Sequence, residues 1–379
     1  MNRLARAAFL QLNRALYALA RPLIFCFSAQ QAHHLTVQWL RWSDGQRWLG
    51  PLLDAAHRLA FEAQPATVGG VALPHPLILA AGLVKGDGFD SEAAALDAVR
   101  RGANIIPGWR SMPRLAGLVE FGSFTRWPRQ GNPGVVVWRD TPARSTQNRV
   151  GLRNPGAAAA AAFLAARRRW LPAQYGVNVA ASPGVDDPDQ QTAEVLESLA
   201  AFVERGVRPA WFTLNLSCPN TEDDPNGRQT ATQARQICGA AVDYLKAVPL
   251  WVKVGPMLAD DQYRALMQVF EETGVRAVVA TNTLPEPAPG APDALAGVGG
   301  ARLHGRAVAV AALLVREKAQ RGYQVDVIGC GGVLDGRAYL DFARLGVRAV
   351  QYWTALVYRG PLAAALIAAE FKRAARDGG

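Results

Sequence analysis

The segment Asn215-Leu216-Ser217-Cys218-Pro219-Asn220-Thr221 sets two amides around a thiol and a hydroxyl. Asn215 and Asn220 each carry donors and acceptors, so as a pair they can read both edges of a planar, amide-rich ligand. Cys218 between them is a candidate general base, because a thiol titrates within reach of neutral pH. Pro219 stops extended backbone from continuing. A polar strand end holding an inert, buried cysteine is the bland alternative. Seven residues in this order favour chemistry.

The segment needs a scaffold, and the chain supplies a repeating one. Apolar runs, each followed by a polar turn and an Ala-rich helical stretch, recur at Leu77–Ala81, Leu118–Gly122, Gly176–Ala180, Pro209–Leu216, Leu250–Val254, Ala277–Thr281, Val325–Gly329 and Ala349–Trp353. Eight such units over roughly 300 residues predict a (β/α)8 TIM barrel within the α/β class. An open doubly wound sheet is the alternative, but no GxGxxG follows an early strand. Thr67–Leu73 reads as a short hairpin turning at Gly69-Gly70. Barrel chemistry sits at the C-terminal ends of the strands. Those ends give Lys85, Ser123, Asn178, Asn215 with Cys218, Lys253, Asn282 with Thr283, Gly331-Gly332 and Thr354. Turns after the seventh and eighth strands suit an anion, which backbone N–H groups can hold. A lysine such as Lys253 inside an apolar run is costly without an anionic partner, which weighs toward function. Taken singly, Asn282 also fits a helix cap, Gly331-Gly332 an ordinary turn and Lys85 a solvated loop.

Composition narrows the class. The chain has 379 residues, half of them hydrophobic, and a net charge of +10. Its arginines are scattered and not interleaved with aromatics, so no nucleic-acid surface is expected; an anionic membrane or ligand suits the charge better. Four cysteines show no CxxC pair and five histidines no metal-binding array, so no metal and a reducing compartment are expected. Residues 1–30 interrupt their apolar run with Arg3, Arg6, Arg14 and Arg21, too often for a membrane-spanning helix. The pattern fits a helix lying on a membrane surface, with a cleaved leader as the competing view. Residues 31–43 and 45–60 read as two further helices. The expected organisation is a helical, membrane-associating cap over 1–62 and a barrel over 63–379.

Taken together and in order, NLSCPNT (215–221), AAGLVK (80–85), FGSFT (121–125), QNRVGLRNPG (147–156), GVNV (176–179), VKV (252–254), ATNT (280–283), IGCGG (328–332) and WTALVYRGP (353–361) resemble the dihydroorotate dehydrogenases, flavin enzymes of pyrimidine biosynthesis. The resemblance runs from about Ala29 to Ala369. It implies FMN at the barrel mouth, with flavin contacts at Ala81, Gly82, Ser123, Asn178, Asn215, Lys253 and Thr281. It further implies a phosphate grip at Gly305, Gly332, Trp353 and Thr354. Dihydroorotate or orotate would be held by Lys85, Asn148, Asn215, Asn220, Asn282 and Thr283, with Cys218 as the base.

Within that family the chain mixes two types. Cys218 and Leu152 resemble the soluble members. Ala29-Gln30-Gln31-Ala32-His33-His34-Leu35 resembles the cap of members associated with the membrane, in which quinone reoxidises the flavin. His33 and Arg139 match that quinone site. The resemblance therefore implies a quinone-dependent enzyme held peripherally on the cytoplasmic face of the inner membrane. Ala103–Gly117 is an extra segment, Val84 replaces an acidic residue, and AASPG (180–184) replaces a lysine-bearing stretch. Rival readings are an FMN oxidoreductase acting on another dihydropyrimidine and a non-catalytic FMN-binding paralogue. An NAD-linked enzyme with an iron–sulfur partner lacks a cysteine cluster here.

Overall fold

Three helices open the chain: α1 (Arg3–Phe25), α2 (Ala29–Gly45) and α3 (Leu49–Ala60). The computed structural model describes residues 3–216 and 228–377. A hairpin follows, β1 (Ala66–Val68) and β2 (Val71–Leu73), with Gly69 and Gly70 both at positive φ in its turn. The remaining strands are, in order, β3 (Leu77–Leu79), β4 (Leu118–Phe124), β5 (Val137–Asp140), β6 (Ser145–Asn148), β7 (Gly176–Val179) and β8 (Trp211–Leu216). After them come β9 (Leu250–Val254), β10 (Ala277–Ala280), β11 (Leu284–Ala288), β12 (Ala291–Gly300), β13 (Asp326–Cys330) and β14 (Val350–Tyr352).

Eight of these strands close a parallel barrel in the order β10-β13-β14-β3-β4-β7-β8-β9. Helices alternate with the strands in sequence and surround the barrel. Each of the eight apolar runs read from the sequence overlaps one barrel strand; β4 and β13 run on past the expected ends to Phe124 and Cys330. Strands such as β4, β7, β9 and β10 are buried at every position, which is why they read as continuous apolar runs rather than alternating ones.

The lower end of the barrel is filled with aromatics. Trp211 and Trp251 stack with ring centroids 4.4 Å apart, and Trp251 Nε1 donates to Gly69 O of the hairpin at 2.9 Å. A Cβ on Gly69 would lie 2.3 Å from Trp251 Nε1, and one on Gly176 equally close to Trp211 Cε2. Only glycine lets the hairpin and β7 approach these rings.

A second sheet, order β11-β12-β6-β5, stands beside the barrel mouth and is antiparallel throughout. No sequence pattern marks it as continuous, because its strands come from two distant loops and β11 carries Pro285 and Pro287. Proline is tolerated there because β11 is an edge strand.

The N-terminal helices are fastened to the barrel by specific contacts. Ser28 and Gln31 form a capping box that starts α2, with Ser28 Oγ accepting from Gln31 N and Gln31 Oε1 accepting from Ser28 N. Tyr17 of α1 donates to Val357 O at 2.8 Å, and Arg21 to Tyr358 O at 3.2 Å. Leu12, Leu16, Leu19 and Leu23 form an exposed stripe along α1, at spacings of three and four residues. No described helix is long and apolar enough to cross a membrane.

Asp44, buried near the end of α2, binds residues 104–111 to the N-terminal helices. Its carboxylate accepts from Asn104 Nδ2, from the backbone N–H of Gly108, Arg110 and Ser111, and from Ser111 Oγ, all between 2.7 and 3.2 Å. Removing it strands several buried donors, each of which costs about 1–3 kcal/mol when left unmade. Asp44→Ala should therefore lower the denaturant midpoint by the equivalent of about 2–4 kcal/mol. An unchanged midpoint would mean that residues 104–111 do not depend on this carboxylate.

Candidate active site

A cavity of about 450 Å³ opens at the C-terminal ends of the barrel strands. The loop after β3 brings Ala81, Gly82 and Lys85 to its wall, and β4 brings Ser123. Asn215 arrives at the end of β8, Lys253 on β9, and Thr281, Asn282 and Thr283 directly after β10. Gly332, Trp353 and Thr354 line the far side, and Asn148 of β6 reaches the rim. Asn282 Nδ2 donates to Asn215 Oδ1 at 3.1 Å, so two of the four asparagines already touch. Asn282 Oδ1 accepts from Thr283 N at 2.8 Å, which fixes the amide's orientation. Cys218 and Asn220 lie outside the described residues.

Two expected contacts sit elsewhere. Gly305 is exposed in the second turn of the helix Ala301–Arg321 and does not line the cavity. Gly299 and Gly300 occupy the wall instead, where a Cβ on Gly300 would fall 2.6 Å from Arg144 O at a φ of +93°. Close backbone approach, not the sequence position of one glycine, sets which glycine lines the cavity. Asn178 is fully buried behind the wall, donating from Nδ2 to Glu120 Oε2 at 3.1 Å. Its Oδ1 is buried with no partner among the described residues.

Two residues with no expected role prove central. Glu120 of β4 is fully buried, and Oε1 accepts from Trp211 Nε1 at 3.0 Å, from Thr213 Oγ1 and from Gln351 Nε2 at 3.4 Å. Gln351 Oε1 in turn accepts from Lys253 Nζ at 3.0 Å. Lys253 also contacts Cys330 Sγ at 3.4 Å, which leaves one of its three hydrogens for the cavity it lines. The signal was present in the sequence: Glu120 and Gln351 each interrupt an apolar run, as Lys253 does.

The wall also shifts titrations. Burial, reinforced by the Arg153 charge, pulls the Lys85 ammonium down to about 8. Burial together with the Lys85, His34 and Arg153 charges lowers His33 to about 4, so its imidazole is neutral at pH 7. The turn at Gly331-Gly332, both at positive φ, brings backbone against the cavity: a Cβ on Gly332 would meet His304 Cβ at 2.5 Å. A polar planar group with an anionic tail fits these features. Asn215 and Asn282 line the wall with amides, Lys253 donates with charge, and the glycine turn suits the anion.

A second cavity, about 290 Å³ and almost wholly apolar, lies between α1, α2 and the barrel mouth. Ile24, Phe25, Ala32, Trp39, Leu83, Met112 and Leu356 supply much of its wall. His33 and Arg139, the residues expected at a quinone site, both line it. Arg139 is held there by the carbonyls of Phe25 and Phe27, at 3.1 and 3.0 Å, with its guanidinium 3.8 Å from the Phe25 ring centre. His33, Val137, Thr146 and Trp353 border both cavities, so a single layer of side chains separates them.

Comparisons with known proteins agree with this architecture. The family model described as dihydroorotate dehydrogenase matches residues 65–374. A Bordetella parapertussis protein named dihydroorotate dehydrogenase (quinone) is 32% identical over 360 residues, covering 91% of this chain and 94% of that protein. One of the same name from Cereibacter sphaeroides is 33% identical over 379 residues, covering 97% and 92%. A crystal structure of DHODH from Eimeria tenella in complex with ferulenol superposes with a TM-score of 0.70 at 21% identity, covering 94% of this chain and 96% of that one. That likeness concerns the fold alone. The sequence matches extend across barrel and cap, and the chain belongs to the dihydroorotate dehydrogenase family.

Proposed function

We propose that the protein oxidises dihydroorotate to orotate in the polar cavity, with FMN as cofactor, and passes the electrons to a membrane quinone in the apolar one. The observation that carries the reading is the pairing of a cavity rich in amides and lysines with an almost wholly apolar one, which share His33, Val137, Thr146 and Trp353 as a border. Bound FMN would supply a hydride acceptor for the substrate and a two-electron donor for the quinone.

The chain's residues do the rest. Ala81, Gly82, Ser123, Asn178, Asn215, Lys253 and Thr281 would hold the flavin ring, and Gly332, Trp353 and Thr354 its phosphate. Lys253 presents positive charge to the ring's edge, the electrostatic share that a protein contributes to cofactor chemistry. Asn148, Asn215, Asn220, Asn282 and Thr283 pair with the imide edges of the substrate, and Lys85 faces its carboxylate. Cys218 takes the proton from the carbon beside the substrate's carbonyl. His33 and Arg139 border the quinone's path, with His33 staying neutral. The exposed leucine stripe of α1 suits the headgroup–acyl boundary of a membrane, so the protein would sit peripherally on the cytoplasmic face of the inner membrane.

The first test is anaerobic stopped-flow absorbance with dihydroorotate and then a quinone. The flavin band should bleach and return; absence of bleaching would refute the substrate, and bleaching without return the acceptor. Cys218→Ala should keep its flavin yet slow reduction by about 10²–10⁴-fold, the usual share of a general base. Undiminished reduction would remove Cys218 from the mechanism.

Lys85 predicts a pH effect whose sign follows from its lowered value. The charged form faces an anionic ligand, and the free protein loses that charge as pH rises through about 8. In the Cys218→Ala background, the orotate dissociation constant should be flat near pH 6–7 and climb up to about tenfold per unit above pH 8. Lys85→Met should bind weakly with no such climb. A flat wild-type profile would show that Lys85 does not face the ligand's charge.

Membrane association has its own readout. Replacing Leu12, Leu16, Leu19 and Leu23 with Ser should abolish co-sedimentation with anionic vesicles while leaving dihydroorotate-driven bleaching intact. Retained co-sedimentation would place the membrane contact elsewhere.

A further inference from the structure

Among the described residues, the lysine in the barrel interior has no carboxylate against it. Lys253 is 7% exposed, and its described contacts are an amide oxygen and a sulfur. The nearest buried carboxylate in the network, Glu120, reaches it only through Gln351. The amide can take one orientation in this chain. Reversed, its NH₂ would face the Lys253 ammonium and its oxygen the Glu120 carboxylate, two repulsive contacts in a buried place. The charges at the two ends therefore fix the amide, and the amide holds the ammonium.

The same carboxylate holds the second group. Glu120 Oε2 takes one hydrogen of Asn178 Nδ2 at 3.1 Å, which leaves the Asn178 oxygen as the free end of that amide. Trp211 and Thr213 secure the carboxylate from below. One acid thus orients a donor with charge and an acceptor, from two different strands.

We infer that Glu120 and Gln351 are positioning residues that set the redox balance of the bound flavin, by keeping the Lys253 ammonium aimed without pairing it with a carboxylate. This rests on the flavin reading given above. A direct Lys–carboxylate pair would cancel the field at the ring; an amide placed between them keeps the lysine in place and leaves its charge acting outward. Reduction adds negative charge to the ring, so a fixed cation beside it favours the reduced state.

The test is the two-electron midpoint potential of the flavin-loaded protein, measured by anaerobic titration against a dye of known potential. Gln351→Met keeps the side-chain length but removes the oxygen on Lys253 and the hydrogen on Glu120. Glu120→Asp keeps the charge but draws it back from Gln351 and Asn178. Both should shift the reduction equilibrium toward oxidised flavin, the first at least tenfold, or about 30 mV for a two-electron couple. Glu120→Asp should shift it less in the same direction. A purely structural role would lower the melting temperature and leave the potential unmoved, which would overturn the inference. The two readings fail differently: a parent protein without a flavin band refutes the cofactor, whereas a flavin-loaded variant at the parent's potential refutes only the positioning role.

Discussion

The structure depends on how one buried acid is satisfied inside the barrel. Glu120 sits where a (β/α)8 barrel normally stacks branched apolar side chains, and an unpaired carboxylate there would be expensive. Four donors from three other strands, β7, β8 and β14, converge on it. Below it the interior is aromatic, with Trp211 over Trp251 and the β1–β2 hairpin against them. Above it the interior becomes the polar floor of the cavity. Glu120 marks the level at which packing gives way to chemistry, and Trp211, which stacks on one side and donates on the other, joins the two halves.

The cap is attached by the same means, a buried acid surrounded by donors. Asp44 gathers the segment 104–111 much as Glu120 gathers the strands. Arg41, one turn earlier on α2, adds a two-oxygen contact with Asp87 in the loop that carries Lys85. Together they fix α2 over the barrel mouth, and with it His33. The apolar cavity therefore owes its shape to polar contacts behind its wall.

The barrel could be read from the sequence because its signal is local. Each strand is a short apolar run bounded by turn residues, and all eight expected runs overlap barrel strands. The hairpin at Gly69-Gly70 was legible for the same reason. The second sheet was not, since pairing between β6 and β12 joins residues about 150 positions apart and β11 carries two prolines. Among site residues, Lys85, Asn148, Asn215, Lys253, Asn282 and Thr283 follow from strand ends and family motifs, and all line the cavity. Glu120 and Gln351 interrupt apolar runs as Lys253 does, but the partners that make them matter meet only in the closed barrel. Gly305 does not line the cavity, and the crowded glycine on its wall is Gly300.

The second sheet is built from two hairpins that leave the barrel at different places, β5–β6 after β4 and β11–β12 after β10, and its central seam is β6 against β12. Gln147 stitches that seam further, donating to the carbonyls of Glu286, Pro287 and Ala296. Neither hairpin has a complete set of backbone partners without the other. Insertions in two separate loops thus form one heritable unit. A lineage that shortened one would bare a sheet edge on the other, and a chimera exchanging a single loop between relatives would inherit half a structure.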